Sequence, residues 1–418
     1  MILFAIFVTM IFLYSLVSSR LDRTVITAPI VFTTAGVLTQ LLVVPSIGDS
    51  EQGIHLQLTL AEVGLVLLLF ADAYKTDLRI LKSFRNLPVR LLSTGMLLTI
   101  ALGLVAAKLI FPSLSIWEAG ILAAILAPTD AGLGQIIVNS PRVPLKIRQS
   151  LNVEAGLNDG LSVPFMLFFI ALAAGSAAGE SSSLMKYIVE QLGYGAVIGI
   201  VVGIVGGKLL RLAANAQWIS HTWSQLGLLA LPLLCLLASD KAGASMFIAA
   251  FVGGMAARVG SGYEEEREHL AAFTEDAGQL FNLLVFFLFG IIVAVGVRDF
   301  DLRSIAYAVI SLTIVRMLPV AIALIKTRLS SVTVLFMGWF GPRGLASIVL
   351  GLVYLEHEYK TPGEATIRHA VMATVLISIF THGLSALPGI ALYEKRITAL
   401  TPDASEFHVS GSTDKEEL

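Results

Sequence analysis

Carboxylate and amide side chains lie within a stretch of the sequence that is otherwise apolar enough to cross a bilayer. The stretch runs from Leu151 to Pro164 and contains Glu154, Asn158 and Asp159. Ionisable side chains at membrane depth are costly and usually functional. On a helix, Glu154 and Asn158 lie on one face, with Asp159 one position further round. This pattern predicts a site inside the membrane that a small ion or a proton can occupy.

Two other apolar spans carry polar residues beside a proline. Pro128 precedes Thr129 and Asp130 in ILAAILAPTDAGLGQIIV, and Pro342 precedes Arg343 in TVLFMGWFGPRGLASIVL. Proline removes a helix hydrogen bond, so each span is predicted to consist of two half-helices separated by unwound backbone. Such backbone is tolerated at membrane depth only where it is buried in protein or lines a cavity. The aspartate and the arginine are predicted to offset the partial charges of the helix ends.

The oxygen-bearing side chains of these segments suit a hard monovalent cation. Thr129, Asp130, Asp159 and Ser162 are predicted to supply oxygen ligands of the kind that Na⁺ prefers. A carboxyl group that is removed from water and lies near a second carboxyl group takes up a proton more readily than a free one. Cation and proton would then compete for the same oxygens. Because an empty charged site is too costly to move through apolar surroundings, exchange would be obligatory.

The composition is that of a polytopic membrane protein. Of the 418 residues, 56% are hydrophobic and 14% are charged, and the mean hydropathy is +0.83. The single cysteine, Cys235, excludes a disulfide framework and a cysteine-based metal site. The net charge of −2 gives no reason to expect a nucleic-acid partner, and no cofactor is expected. At the N-terminus the basic residues follow the apolar run, which favours a first spanning helix over a cleaved signal peptide.

Windows of about 20 residues predict an all-α fold with thirteen membrane-spanning helices. The predicted spans are 2–18, 25–44, 57–73, 88–111, 115–139, 148–175, 184–212, 225–240, 242–257, 278–297, 303–325, 331–355 and 366–391. The Asp130 span is the fifth and the Arg343 span the twelfth, so copies of a repeat seven helices apart would run in opposite directions. An inverted repeat with two crossed, discontinuous helices is a transporter architecture.

The distribution of basic residues predicts the orientation. Nineteen lysines and arginines fall in the C-terminal tail and one set of alternate loops, and seven fall in the other set. Positive charge marks the cytoplasmic side, so the N-terminus is predicted to lie outside the cell membrane and the C-terminus in the cytoplasm. Arg316 and Arg343 are the two basic residues within spans. Residues 397–418 are predicted to form a disordered cytoplasmic tail.

The sequence resembles the monovalent cation:proton antiporters, specifically the NhaP-type branch that is related to the sodium/proton exchangers. The resemblance reaches about Tyr393 and rests on APTDAGLGQII, PLKIRQSLNVEAGLNDGLSVPF, IVRMLPV and GPRGLAS, in that order. It implies that residues 1–396 form the antiporter domain of a homodimer in the cell (inner) membrane. Core helices around 88–175 and 303–391 would move the ion in an elevator-like displacement, and the remaining helices would form the interface.

The resemblance also implies roles for single residues at the ion site. Asn158 and Asp159 mark the site in this family, Asp130 contributes to it, and an oxygen of Thr129 completes the ligand set. Ala155 departs from the pattern, because many members carry a serine there whose hydroxyl helps to ligate sodium. The departure concerns the identity of the cation more than the mechanism.

Charged residues beside the site are assigned in the same way. The resemblance pairs Glu154 with Arg316, which predicts a structural ion pair, and matches Arg343 to the arginine of the second broken helix. Asp72 lies near the cytoplasmic end of the third span, and the sequence leaves open whether it borders the site or is an end charge that reaches toward water.

These observations predict a secondary transporter that exchanges one Na⁺ or Li⁺ for one proton by alternating access and so serves pH homeostasis. An amide cannot take up a proton at physiological pH, so Asn158 adds no second titrating charge beside Asp159 and the exchange is predicted to be electroneutral. A K⁺/H⁺ antiporter of the same fold is the nearest alternative. An intramembrane aspartyl protease would need a GxGD motif, whereas Asp159 lies in GLND. A cation channel would need no proton-titrating site.

Overall fold

The structure, a computed structural model, describes residues 2–21, 24–43, 51–75, 87–178, 189–262, 267–356, 360–399 and 404–407. These residues form helices, because within a bilayer each backbone polar group must be satisfied inside its own segment. The fifteen principal helices, α1 to α15 in order, are Ile2–Leu21, Ala28–Leu42, Glu51–Lys75, Pro88–Ile110, Ile116–Ile125, Ala131–Val138, Leu145–Ala178, Gly195–Asn215, His221–Ala242, Met246–Ser261, Arg267–Gly296, Leu302–Ala323, Ser331–Trp339, Leu345–Glu356 and Glu364–Ile397.

Each of the thirteen predicted spans overlaps helical structure, and the two spans predicted to break, at Pro128 and Pro342, are the two that are divided into half-helices. Other spans carry an internal proline within a continuous helix, such as Pro164 and Pro388. The fifth span consists of α5 and α6, and the twelfth consists of α13 and α14. Eight of the described helices are long and apolar enough to cross a membrane. The all-helical, multi-span fold that the sequence predicts is therefore confirmed.

The inverted repeat is visible in the details of two sets of three spans. The span before each break contains one π-helical turn, Leu91–Gly95 in α4 and Ser311–Val315 in α12. The helix after each break is 34 residues long and holds an internal proline, Pro164 in α7 and Pro388 in α15. The same irregularities recur seven spans apart, so the two sets of three spans are copies of one structural repeat.

The helices pack in two groups. Helices α2, α3 and α8 to α11 contact one another closely, and α4 to α7 contact α12 to α15. The group with the two breaks will be called the core group, and the other the scaffold group. Within the scaffold group, α8 lies against α10 through glycines; a Cβ on Gly203 would stand 2.3 Å from the carbonyl oxygen of Gly253. Residues of the two groups face each other across a cavity described below.

Part of the predicted disordered tail is docked. Residues 404–407 pack against the ends of core-group helices, and Glu406 is 1% exposed. Its carboxylate accepts hydrogen bonds from the Ser330 amide at 2.7 Å and the Thr333 hydroxyl at 2.9 Å. The Lys146 ammonium donates to the Ser405 carbonyl at 2.7 Å. The prediction of disorder is wrong for these four residues, because Ser330, Thr333 and Lys146, which are distant in the chain, supply their hydrogen-bond partners. Residues 400–403 and 408–418 lie outside the described residues.

Candidate functional site

The two helix breaks cross in direct contact. The amide of Asp130 in the first break donates to the carbonyl of Pro342 in the second at 2.8 Å. The Ser347 hydroxyl, on α14, donates to the Ile125 carbonyl at the end of α5 at 2.8 Å. Backbone groups that each break leaves without helical partners are thus satisfied by the other break, as buried backbone requires.

Asp130 caps two half-helices at once. One carboxylate oxygen, Oδ1, accepts from the Leu133 amide in α6 at 2.9 Å, and Oδ2 accepts from the Leu345 amide in α14 at 2.6 Å. A carboxylate is favourable at a helix N-terminus because the unpaired amides there carry partial positive charge. A Cβ on Gly344 would stand 1.9 Å from Oδ2, so glycine is needed for this approach. Both oxygens of Asp130 are therefore already committed to backbone amides.

Arg343 makes the reciprocal contact. Its guanidinium Nη1 donates to the carbonyls of Ala127 and Pro128, at 2.6 and 2.8 Å, just after the end of α5. The residue is completely buried, and its backbone amide donates to the Ser378 hydroxyl at 2.6 Å. Cations are favourable at helix C-terminal ends. The aspartate of one break and the arginine of the other thus compensate the helix ends, in the manner that the sequence predicts.

Asn158 holds Thr129 in place. The amide nitrogen Nδ2 donates to the Thr129 hydroxyl at 2.7 Å, and Oδ1 accepts from the Thr129 backbone amide at 3.2 Å. Asn158 is 3% exposed. Both polar atoms of its side chain are used within the protein, so the geometry makes Asn158 a residue that positions the first break.

Asp159 differs from these neighbours. Its Oδ1 is buried and has no hydrogen-bond partner among the described residues. The residue lines a cavity of about 420 Å³, together with Asp130 and Asp72. Ser162 donates its hydroxyl to the Asp159 carbonyl at 2.8 Å, and neither Ser162 nor Thr129 is among the residues that line this cavity. Among the carboxylates that the sequence proposes as ligands, that of Asp159 is the one with a buried oxygen that lacks a hydrogen bond within the described residues.

Asp72 belongs to the cavity wall. A Cβ on Gly156, one helical turn before Asp159, would stand 3.6 Å from the carboxyl carbon of Asp72 and 3.8 Å from its Oδ2. The carboxylates of α3 and α7 are thus brought to one cavity by a glycine that leaves room between the helices. Ala155, on the same helix, borders a smaller cavity of about 20 Å³ with Thr129 and Asp130, so the position at which the resemblance leads one to expect a serine does face the first break.

Glu154 and Arg316 form a bidentate ion pair. The two guanidinium nitrogens donate to the two carboxylate oxygens at 2.5 and 3.0 Å, and both residues are 4% exposed or less. The pair joins α7 to α12. A Cβ on Gly341 would stand 2.1 Å from the Arg316 Nε. The Arg316 side chain therefore packs directly against the backbone of the second break.

The cavity includes residues that the sequence reading did not single out. Asn282 and Gln279 lie on α11 and line the cavity, and Lys75 contacts Glu275 at its edge. Asn282 is a polar residue within the predicted span 278–297, so its position in the sequence could have indicated that it lies at a functional site. The pairing of Lys75 with Glu275 has no local signature, because the two residues are 200 positions apart in the chain.

An all-helical membrane protein with an inverted repeat, two crossed helix breaks and a carboxylate-lined cavity at their crossing has the architecture of a secondary ion transporter. The chain belongs to the sodium/hydrogen exchanger family: the profile of the family described as "Sodium/hydrogen exchanger, transmembrane" matches residues 5–389.

Individual relatives and structures agree with this family. A Na⁺/H⁺ antiporter of Schizosaccharomyces pombe is 24% identical over 373 residues, which cover 80% of this chain and 77% of the relative. The K⁺/H⁺ antiporter NhaP of Alkalimonas amylolytica is 25% identical over 339 residues, covering 79% of this chain and 56% of the relative. The structure of the sodium proton antiporter MjNhaP1 from Methanocaldococcus jannaschii at pH 8 superposes with a TM-score of 0.74 at 20% identity, covering 92% of this chain and 99% of that chain.

Proposed function

We propose that this protein is an electroneutral antiporter that exchanges one Na⁺ or Li⁺ for one proton at Asp159. The observation that supports the proposal is the Asp159 Oδ1 atom, which is buried beside the cavity without a hydrogen-bond partner among the described residues. An unpartnered buried carboxylate is costly. A cation or a proton at this atom removes the cost, and the two cannot occupy it together.

The neighbouring polar groups are already occupied, which favours a single exchanging site. Asp130 gives both oxygens to helix amides, and Asn158 is fixed by Thr129. Each Asp130 oxygen keeps a further lone pair, so Asp130 can ligate the cation while it caps the two helices. Two equivalent aspartates, as a protease would need, are not favoured by this arrangement. One switching carboxylate implies one proton for each monovalent cation.

We further propose that the cavity opens toward the cytoplasm. Gln135, Asn139 and Asn152 line it and are exposed. Arg142 before α7 and Lys146 in the first turn of α7 belong to the basic set that predicts the cytoplasmic side. Alternating access then requires the core group to move against the scaffold group within a homodimer. A reporter fused after Leu418 is expected to behave as cytoplasmic.

The identity of the cation is the less constrained part of the proposal. Hard cations accept carboxylate, carbonyl and hydroxyl oxygens alike, and Ala155 removes one hydroxyl next to Thr129 and Asp130. One relative is named as a Na⁺/H⁺ antiporter and another as a K⁺/H⁺ antiporter. K⁺ is therefore the alternative substrate.

The test is exchange in proteoliposomes with an imposed pH gradient, using Na⁺, Li⁺ and K⁺ in turn. Na⁺ and Li⁺ are expected to dissipate the gradient, and Asp159→Asn is expected to abolish the effect while the protein keeps its elution profile on size exclusion. If K⁺ alone dissipates the pH gradient, the protein is a K⁺/H⁺ antiporter instead. A membrane potential set by a potassium ionophore is expected to leave Na⁺/H⁺ exchange unchanged, and exchange driven by that potential would contradict the one-to-one stoichiometry.

A further inference from the structure

A side chain of the scaffold group reaches the acidic cavity of the core group. Asn282 lies on α11, which packs mainly against α2 and α3. It is 4% exposed and lines the same cavity as Asp72, Asp130 and Asp159. Neither the helix breaks nor the motifs of the sequence include this residue.

The geometry places the Asn282 amide beside the Asp130 carboxylate. Its Nδ2 atom lies 3.3 Å from the point that a Cβ on Gly132 would occupy, and Asp130 Oδ1 lies 3.1 Å from the same point. Gly132 therefore leaves the space in which the two groups approach. The Nδ2 atom also donates to Gln279 Oε1 at 3.3 Å, which fixes the orientation of the amide.

The carbonyl oxygen of this amide is unsatisfied. Asn282 Oδ1 is buried and has no hydrogen-bond partner within the described part of the chain. A buried polar atom without a partner costs free energy, and that cost is recovered when a ligand supplies the missing interaction. Amide carbonyl oxygens are good ligands for hard cations, and a cation is the ligand that three surrounding carboxylates attract.

We propose that Asn282 Oδ1 is a further ligand of the transported cation, supplied by α11 from the scaffold side of the cavity. The inference rests on the proposed function and adds a residue to it. The amide contributes an oxygen without adding charge, so it strengthens cation binding and leaves the one-to-one exchange unaltered. Because α11 is outside the core group, movement of the core carries the ion away from this oxygen and weakens binding as the site turns to the other side.

The first test compares Asn282→Leu with Asn152→Leu. Asn152 lines the same cavity but is exposed at its rim, so the control makes the same chemical change without removing a buried oxygen. In proteoliposomes, Asn282→Leu is expected to raise the KM for Na⁺ by about tenfold, the effect of losing one polar contact to a charged group, with little change of the maximal rate. Asn152→Leu is expected to keep the wild-type KM.

A second variant separates a ligand from a structural amide. An ionised aspartate accepts but does not donate, so Asn282→Asp is expected to regain most of the affinity that Asn282→Leu loses. An unchanged KM in Asn282→Leu, or equal losses in the leucine and aspartate variants, would overturn the proposal. Asn282→Ala replaces the leucine variant if size exclusion shows that the latter aggregates. Absence of exchange by the wild-type protein in the same liposomes would instead count against the proposed function itself.

The assignment of Asn282 to the scaffold group can be tested by measuring the Na⁺ KM separately on each side of the membrane. In right-side-out and everted membrane vesicles, Asn282→Leu is expected to raise the Na⁺ KM on the side to which the cavity opens and to leave the KM on the other side close to wild type. An equal rise on both sides would show that Asn282 accompanies the ion through the whole cycle, contrary to the inference.

Discussion

At the residue scale, the described charged residues at the crossing of the breaks differ in how their carboxylates are satisfied, although Arg316 Nε and Arg343 Nε and Nη2 are also buried without a hydrogen bond. Asp130 and Arg343 neutralise helix ends, and Glu154 and Arg316 neutralise each other. Asp159 alone among these residues has a buried oxygen, Oδ1, that lacks a hydrogen bond within the described chain. The same physical requirement, that charge at membrane depth be paired, accounts for the contacts of these four residues and supports the proposal that Asp159 binds the transported ion.

The Glu154–Arg316 pair leads to a prediction about stability. Removal of one partner leaves a charge buried in a medium of low dielectric, so Arg316→Ala is expected to reduce the free energy of unfolding by about 3 to 5 kcal/mol. The double variant Glu154→Gln with Arg316→Met has no uncompensated charge and is expected to be more stable than Arg316→Ala. Thermal unfolding in detergent provides the comparison. If Arg316→Ala is as stable as the wild type but inactive, the pair takes part in transport instead.

At the element scale, the crossing of the breaks depends on a glycine that no hydropathy plot distinguishes. In Gly344→Ala the new methyl group would lie 1.9 Å from Asp130 Oδ2, so the cap of α14 must move. We expect the free energy of unfolding to fall by about 2 kcal/mol and exchange to be lost. Gly134→Ala, in the half-helix α6 that follows the other break, is the control, because a Cβ there meets nothing within 4 Å. Equal stability of the two variants would show that the close approach of Asp130 is unimportant.

The docked part of the tail is also a helix cap. Glu406 lies at the start of α13, where it accepts from the Ser330 amide and the Thr333 hydroxyl. Glu406→Ala is expected to lower the free energy of unfolding by about 1 to 2 kcal/mol. Glu394→Ala is the control, because the Glu394 side chain is 44% exposed and lies 3.8 Å from Arg142; exposed pairs of this kind contribute about 0.5 kcal/mol or less.

The effect of Glu406→Ala should depend on pH. Burial alone would raise the pKa of Glu406, but the hydrogen bonds from Ser330 and Thr333 outweigh it and hold the pKa below the ordinary value of 4.5. A lowered folded-state pKa means that the ionised form stabilises the fold, so the contribution is complete above pH 4.5 and is lost as the pH falls further. Unfolding temperatures of wild type and variant should therefore converge in acid. A difference that persists under acidic conditions would show that the carboxylate charge is not what matters.

At the scale of the whole molecule, the sequence predicts those features that are local and misses those that need two distant segments. Hydropathy fixes the spans, because each must cover the apolar thickness alone. Pro128 and Pro342 indicate the breaks because each lies close to a charged residue and glycines. A proline alone is not sufficient, since Pro164 and Pro388 lie inside continuous helices. Asp130 also caps α14, whose first residue lies 215 positions further along the chain, and Glu406 accepts from Ser330, which lies 76 positions before it. No local pattern encodes such pairings, and the position of Asn282 opposite Asp130 has the same origin.

In the proposed mechanism, transport couples these scales, because the cation and the proton share one carboxylate while the breaks around it stay fixed. Protons reduce the fraction of Asp159 that can bind a cation, and the apparent dissociation constant varies inversely with that fraction. In the range where the protonated form predominates, the KM for Na⁺ is therefore expected to rise about tenfold for each unit by which the pH falls.

The maximal rate distinguishes this competition from a separate proton sensor. Saturating Na⁺ displaces the proton from Asp159, so the maximal rate in proteoliposomes should stay nearly constant over a moderate pH range while the KM changes. Initial rates measured across a series of Na⁺ concentrations at each pH, equal on both sides of the membrane, give the two quantities separately. A maximal rate that falls in acid at constant KM would mean that protons act at a second site, and Asp159 would then not be the shared carrier of cation and proton.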